Sequence, residues 1–340
     1  MGKARDFIQA YRWRRRRQLR LLRGWRKGRE LTPVIDRTGE IRKGDVLCFV
    51  TLRNEAARLP YFLRHYRALG IARFLIVDND STDGSRAYLA DQPDVSLWHT
   101  TASYRASRFG MDWMQALLMR HGRGHWCLTV DADELLVYPH HDTRPLPALT
   151  DWLEARDETV LPALMLDLYP KGPVNRARHT PGQDPTETLS WYDSANYTVQ
   201  PKPDTWALWV QGGPRQRMFF SETPERGPTL IKLPLVKWHW RYVYANSTHV
   251  MLPRTLNAIG DPAGGERLSG VLLHTKFLPE IGAKSAEEKT RRQHFGDPDA
   301  FDSYYDALIA GPDLWHPYAS RYRGWRQLEG EGLMSRGGWG

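Results

Sequence analysis

Residues 125–139 read HWCLTVDADELLVYP, and the two halves of this stretch follow different chemistry. Trp126, Cys127, Leu128, Thr129 and Val130 make a short apolar run with β-branched members, the pattern of a strand buried on both faces. The run stops at Asp131, Asp133 and Glu134. Three carboxylates at the end of a buried strand lose hydration, so a cation must meet them. Mg2+ or Mn2+ suits hard oxygen ligands and carries phosphates in turn, and the stretch therefore reads as a metal–diphosphate site. Asp-x-Asp recurs at Asp78/Asp80 and Asp297/Asp299, where turns and helix caps are the plainer reading. The strand in front sets Asp131/Asp133 apart.

Upstream, apolar runs alternate with helical patterns. Asp45 to Thr51 predicts a first strand, followed by Arg53-Asn54-Glu55 and a helix running to about Leu69, which Gly70 stops. Arg73 to Asp78 predicts a second strand closed by NDSTDGS, in which Ser81 or Asp83 is placed to cap the next helix. Asp94 to Thr100 predicts a weaker third strand and Gly110 to Arg120 a helix, before His125 to Val130. This alternation implies parallel strands with right-handed crossovers, and ligands beyond the strands' carboxyl ends. Those ends carry Arg53/Asn54/Glu55, Asp78 and the 131–134 acids. Arg108, in SYRASRFG, is a candidate cation for a diphosphate, with an exposed loop arginine as the alternative.

VTLRNEAARLPYFLRHYRALGIARFLIVDNDSTDGS, followed by a strand and DADEL, resembles a family 2-type glycosyltransferase of the GT-A fold. The likeness is to a bacterial branch whose second strand ends VDNxSxDG, and it covers residues 45–140 well and weaker features to about 280. It implies a mixed, mostly parallel sheet flanked by helices. It further implies that Asp78 holds the donor's base and ribose, that Thr51, Arg53 and Glu55 line the nucleotide pocket, and that Asp131-Ala132-Asp133 holds metal and diphosphate. The bottom-up chemistry agrees, since a metal held by two carboxylates stabilises a departing diphosphate. In many GT-A enzymes a late-strand histidine completes the metal shell, which the resemblance places on His274 in VLLHTKF. Lys276, two residues on, faces the same side of a strand and can neutralise phosphate.

Beyond Pro139 the chain turns rich in Pro, Trp and Tyr. Leu161 to Tyr169 predicts a further strand, and 190–197 (SWYDSANY) and 206–220 (WALWVQGGPRQRMFF) predict acceptor-side strands and loops. Gly212-Gly213 permits close backbone approach, and Arg215 and Arg217 offer bidentate contacts to an acidic or phosphorylated group. A plain β-turn is the alternative. Inverting transfer needs a carboxylate to deprotonate the acceptor hydroxyl. The Glu-Asp pair usual in family 2 is missing; Asp193 and Glu222 are the candidates, with Asp167 and Glu225 behind them. Residues 230–250 show further strand patterns with His239 and His249.

The fourteen Trp and fifteen Tyr suit sugar-binding surfaces as well as core packing. Cys48 and Cys127 sit in apolar strand patterns as small hydrophobes, which fits a reducing setting. The net charge of +9 is local: residues 1–30 carry twelve Lys/Arg against Asp6 and Glu30, and the remainder sums to −1. That segment interleaves Phe7, Ile8, Tyr11, Trp13, Leu19, Leu21, Leu22 and Trp25 with arginine. As a helix it suits an anionic membrane surface; a solvated extension and nucleic-acid binding are the rivals. It lacks both a membrane-spanning apolar run and the features of a signal peptide. The expected organisation is a basic extension and connector over 1–44, a GT-A domain over 45–280 divided near 140 into nucleotide and acceptor halves, and C-terminal helices with a Gly-rich tail over 281–340.

The resemblance and the acid-bearing strand ends together predict a metal-dependent transferase moving a sugar, UDP-linked by first expectation, to a glycan or lipid-linked hydroxyl with inversion, retention being the alternative. It would act in the cytoplasm at the inner face of the membrane. Sugar-nucleotidyl transfer is the rival enzyme class, against which TLRNEAARLP has no glycine-rich phosphate loop. A glycoside hydrolase would use paired carboxylates without a metal. A nucleic-acid-binding protein would have to act through the arginine-rich segment alone, because the folded part is near neutral.

Overall fold

The computed structural model describes residues 2–259, 266–293 and 302–340. In chain order the strands are β1 (Thr32–Ile35), β2 (Val46–Leu52), β3 (Arg73–Asp78), β4 (Val95–His99), β5 (Trp126–Thr129), β6 (Glu134–Val137), β7 (Val160–Asp167) and β8 (Trp191–Tyr192). They continue with β9 (Thr198–Lys202), β10 (Ala207–Gln211), β11 (Ile231–Lys237), β12 (Val243–Asn246), β13 (Val250–Leu252), β14 (Gly270–His274) and β15 (Ser320–Arg321). The helices are α1 (Gly2–Lys27), α2 (Leu59–Ala68), α3 (Ser85–Ala90), α4 (Met111–Leu117), α5 (Leu146–Glu154), α6 (Pro185–Thr188), α7 (Gly213–Phe219), α8 (Ile281–Arg291), α9 (Asp302–Ile309) and α10 (Trp325–Gly330).

Nine strands form one sheet in the order β1-β4-β3-β2-β5-β11-β7-β14-β6, flanked by helices. β4, β3, β2 and β5 are mutually parallel, β7 and β14 run with them, and β1, β11 and β6 run against. β2, β3 and β5 are almost wholly apolar because helices cover both faces, so alternation would leave polar groups buried. The expected α/β class and its first four strands are therefore present. Gly70 ends α2 at φ +91°, and a Cβ there would stand 2.9 Å from Pro147 Cδ.

Four local expectations are corrected. The 31–45 connector contributes β1, an edge strand antiparallel to β4. The helix expected to reach Arg120 loses α geometry after Leu117 and continues as a wider turn over Leu118–Gly122. The strand-and-loop run expected over 206–220 is strand only to Gln211; Gly213 then opens α7, with Pro214 in its first turn, where a missing N–H costs nothing. Finally, the Gly-rich tail turns back to bury Trp339 in the main core, where its Nε1–H donates to Pro139 O at 3.0 Å.

The arginine-rich helix α1 lies on the domain. Gly24 and Gly28 are buried against α4: a Cβ on either would stand 2.8 Å from a side-chain atom of Gln115 or Ala116. Arg23 Nε holds buried Asp112 at 2.5 Å. Trp13 and Leu21 pack on a small cluster that includes Val243, Ala245 and Leu252. The outer face leaves Tyr11, Leu19, Leu22 and Trp25 exposed among arginines. Among the described residues, no helix is long and apolar enough to cross a membrane.

Candidate functional site

A cleft of about 550 Å3 opens at the carboxyl ends of the parallel strands. Thr51 to Glu55 follow β2 into it, Asp131 to Glu134 follow β5, Lys232 enters from β11, His274 and Lys276 from the end of β14, and Lys284 and Glu287 from α8. The sheet register sets a row at its edge: His274 lies opposite Asp167, behind the lining, on one side and Glu134 on the other. Thr275 fixes the 131–133 turn by donating its N–H (2.7 Å) and hydroxyl (2.9 Å) to Asp133 O.

Each acid here meets a cation supplied by the chain. Buried Lys232 reaches Asp131 Oδ2 at 3.0 Å and also holds Glu134. Burial opposes the Lys232 charge, but the two carboxylates outweigh it and raise its pKa. Burial pushes the Glu134 carboxyl up while Lys232 pulls it down, and the net direction is upward. His274 Nδ1–H donates to Asp167 Oδ1 at 2.5 Å, and its Nε2 faces Asp133 Oδ2 at 3.2 Å. Burial would lower the His274 pKa, but Asp133 and Asp167 raise it. Against burial, Arg215 (Nε at 2.7 Å) and His274 hold Asp167 down to about 2. Arg58, fully buried, answers Glu55 at 2.9 Å and Asp133 at longer range.

The donor set fits a divalent cation that a substrate helps to hold. With Nδ1–H committed to Asp167, Nε2 of His274 points a lone pair at a carboxylate; a proton or a metal between them satisfies both. The Asp131 side chain is 57% exposed beside them. Among the described residues no three His, Cys, Asp or Glu side chains converge as a metal cage. Phosphate oxygens and water would therefore complete the shell, which is how Mg2+ is usually held. Buried hydroxyls of Thr51, Thr229 and Thr248 also line the cleft without a hydrogen-bond partner among the described residues, which suits a polar ligand.

The structure brings Thr51, Arg53, Glu55, Asp131, Ala132, Asp133, Arg215, His274 and Lys276 into this one cleft. Asp78 stands outside its lining: it is buried at the end of β3, paired with Arg86 Nε at 2.8 Å and facing His99 at 3.4 Å. The candidate bases are elsewhere. Asp193 is a buried hub that accepts from Tyr169, Arg217 (3.0 Å) and His316 (3.1 Å), and Glu222 is exposed after α7. Arg217 is committed to Asp193 and to Leu314 O (2.7 Å). Arg108 turns away to Asp112 Oδ1 at 2.7 Å. Asp297 and Asp299 lie outside the described residues.

Sequence reasoning missed Lys232, Arg58, Lys284 and His249. Lys284 Nζ lies 2.5 Å from Glu55 Oε1. His249 donates Nδ1–H to Ile231 O at 2.6 Å, and burial with Lys232 nearby holds it neutral, down to about 4. No family model matches the chain, and no characterised protein matches it.

Proposed function

We propose that the chain is a glycosyltransferase of GT-A type that takes a nucleotide-sugar donor in this cleft. The observation that carries the reading is the convergence, beyond the carboxyl ends of parallel strands, of Asp131, Asp133 and the Asp167-oriented His274 with Lys232 and Lys276. Few ligands need two carboxylates and two ammonium groups within one cleft. A metal–diphosphate does, because the metal takes the carboxylates and the phosphate oxygens take the ammonium groups.

When bound, Mn2+ or Mg2+ would stabilise the negative charge growing on the departing diphosphate. The chain's own residues do the rest. Asp133 and His274 would hold the ion, with Asp131 beside them. Lys276 faces the phosphates without an acid partner of its own among the described residues. Lys232 keeps the 131–134 turn charge-balanced when no ligand is present. Arg53 and α8, joined through Glu287 at 3.1 Å, shield the nucleotide side of the cleft from water. The acceptor is a hydroxyl on a glycan or lipid-linked saccharide. The exposed apolar side chains of α1, set among arginines, support work at an anionic membrane surface.

Calorimetric titration of UDP and of GDP, each with and without Mn2+, tests the donor site in the wild type and in Asp133→Asn. Metal-dependent binding of one nucleotide, weakened at least tenfold in the variant, is the expected result. No binding of either nucleotide under any metal condition overturns the reading.

A further inference from the structure

A second cavity of about 500 Å3 lies between α1 and the β9–β10 hairpin. It shares Phe109, Asn246 and Ser247 with the cleft, so those residues form a common wall. Arg16 and Arg20 enter from α1, Arg108 from the turn before α4 and Lys202 from β9; among the described residues the sole carboxylate in the lining is Asp204. Asp204 is already engaged by Gln9 at 3.1 Å. The floor is apolar, with Trp209, Pro203 and Val250.

The cations here outnumber the acids that meet them: Asp112, behind the cavity, pairs with Arg108 at 2.7 Å and is shared with Arg23. Among the described residues neither Arg16 nor Arg20 makes a hydrogen bond or ion pair, and the Arg16 guanidinium rests over the Trp13 ring at 5.2 Å. Burial, together with Arg108 and Arg16, pushes Arg20 down to about 10. Arg108 Nη2 is buried and has no partner, although Nε and Nη1 are committed to Asp112 and Tyr244 O. Arg108, Phe109 and Gly110 are consecutive residues at positive φ (54°, 58° and 76°), a run that two non-glycine residues adopt only under constraint. Asp112 and Tyr244 O hold the Arg108 guanidinium at the cavity, and Phe109 lies in the common wall. Crowded arginines of this kind are stabilised by an oxyanion that bridges them.

We propose that this cavity binds a phosphate or diphosphate carried by the acceptor, with Arg16, Arg20, Arg108 and Lys202 taking its oxygens and Trp209 the adjoining apolar part. The word acceptor rests on the glycosyltransferase reading; the anion site does not. The common wall then sets the bound phosphate beside the donor, so that one acceptor molecule spans both spaces.

The test titrates inorganic pyrophosphate, without metal, into the full-length protein by calorimetry. Variants are Arg16→Gln/Arg20→Gln and, from a separate element, Lys202→Gln, each checked by thermal melting. We expect pyrophosphate affinity to fall about tenfold or more in both, with nucleotide binding unchanged. Affinity unchanged in both variants, or lost only in Lys276→Gln, assigns the anion to the cleft and overturns the inference. If no nucleotide binds but the pyrophosphate effect stands, the glycosyltransferase reading fails and the anion site survives. Flotation then separates two sources of phosphate. Binding to phosphatidylcholine vesicles carrying a polyprenyl phosphate, above vesicles carrying phosphatidylglycerol and lost in Arg16→Gln/Arg20→Gln, marks a lipid-linked acceptor. Equal flotation on both, with pyrophosphate still bound in solution, marks a water-soluble one.

Discussion

Lys232 is the residue on which the 131–134 turn depends. Its ammonium is buried between two carboxylates, and removing one partner of such a group leaves an uncompensated charge. We expect Lys232→Met to cost about 3–5 kcal/mol in urea unfolding, far more than Lys276→Met, whose side chain is less deeply buried. Asp131 and Asp133 were legible as cleft residues from the strand end they follow, and His274 through the family resemblance. Lys232 was not: within IKLPLVK it looks like an ordinary strand lysine, and only a register shift in the β11–β7 pairing, between Lys232 and Leu235, marks its position as unusual. Asp193 lies outside the cleft lining, buried against Arg217 and His316, which no spacing along the chain reveals.

At the level of elements, α2 gives the chain an acid-sensitive joint. His65 Nε2 lies 3.0 Å from Leu136 O, and burial holds its pKa down to about 4. The folded pKa is below the unfolded one, so the unfolded chain takes up the proton first. Stability should fall as pH drops from about 6.5 towards 4 and level off beneath, by at most roughly 3 kcal/mol. His65→Gln should make that limb shallower in pH-dependent melts, with buried His249 supplying the remainder. Helix α1 offers another test. Gly24→Leu places a side chain where Gln115 already stands, so overpacking of about 1–3 kcal/mol should loosen the helix. Faster tryptic cleavage within residues 12–20 would report it. The amphipathic character of α1 was legible, but its docking was not, because Gly24 and Gly28 carry no signal until α4 is seen to face them.

Across the whole molecule, the sheet register sets Glu134, His274 and Asp167 in one row, and α8 is tied to the residues after β2 through Lys284–Glu55 and Arg53–Glu287, with both groups lining the one cleft. Nucleotide binding should therefore slow amide hydrogen exchange together in residues 131–134 and 281–291; slowing in one alone would separate the two. The α/β order was legible from β2 to β5, where helices alternate with parallel strands. Beyond β5 it was not, because β11, β7, β14 and β6 interleave segments distant in sequence, and such pairing leaves no local period. The common wall of Phe109, Asn246 and Ser247 carries a consequence for chemistry applied to this protein. A single inhibitor with an anionic head at each end of a short tether would occupy both cavities. Its second head would then bind at an effective concentration of roughly millimolar, so that two weak fragments make one tight compound.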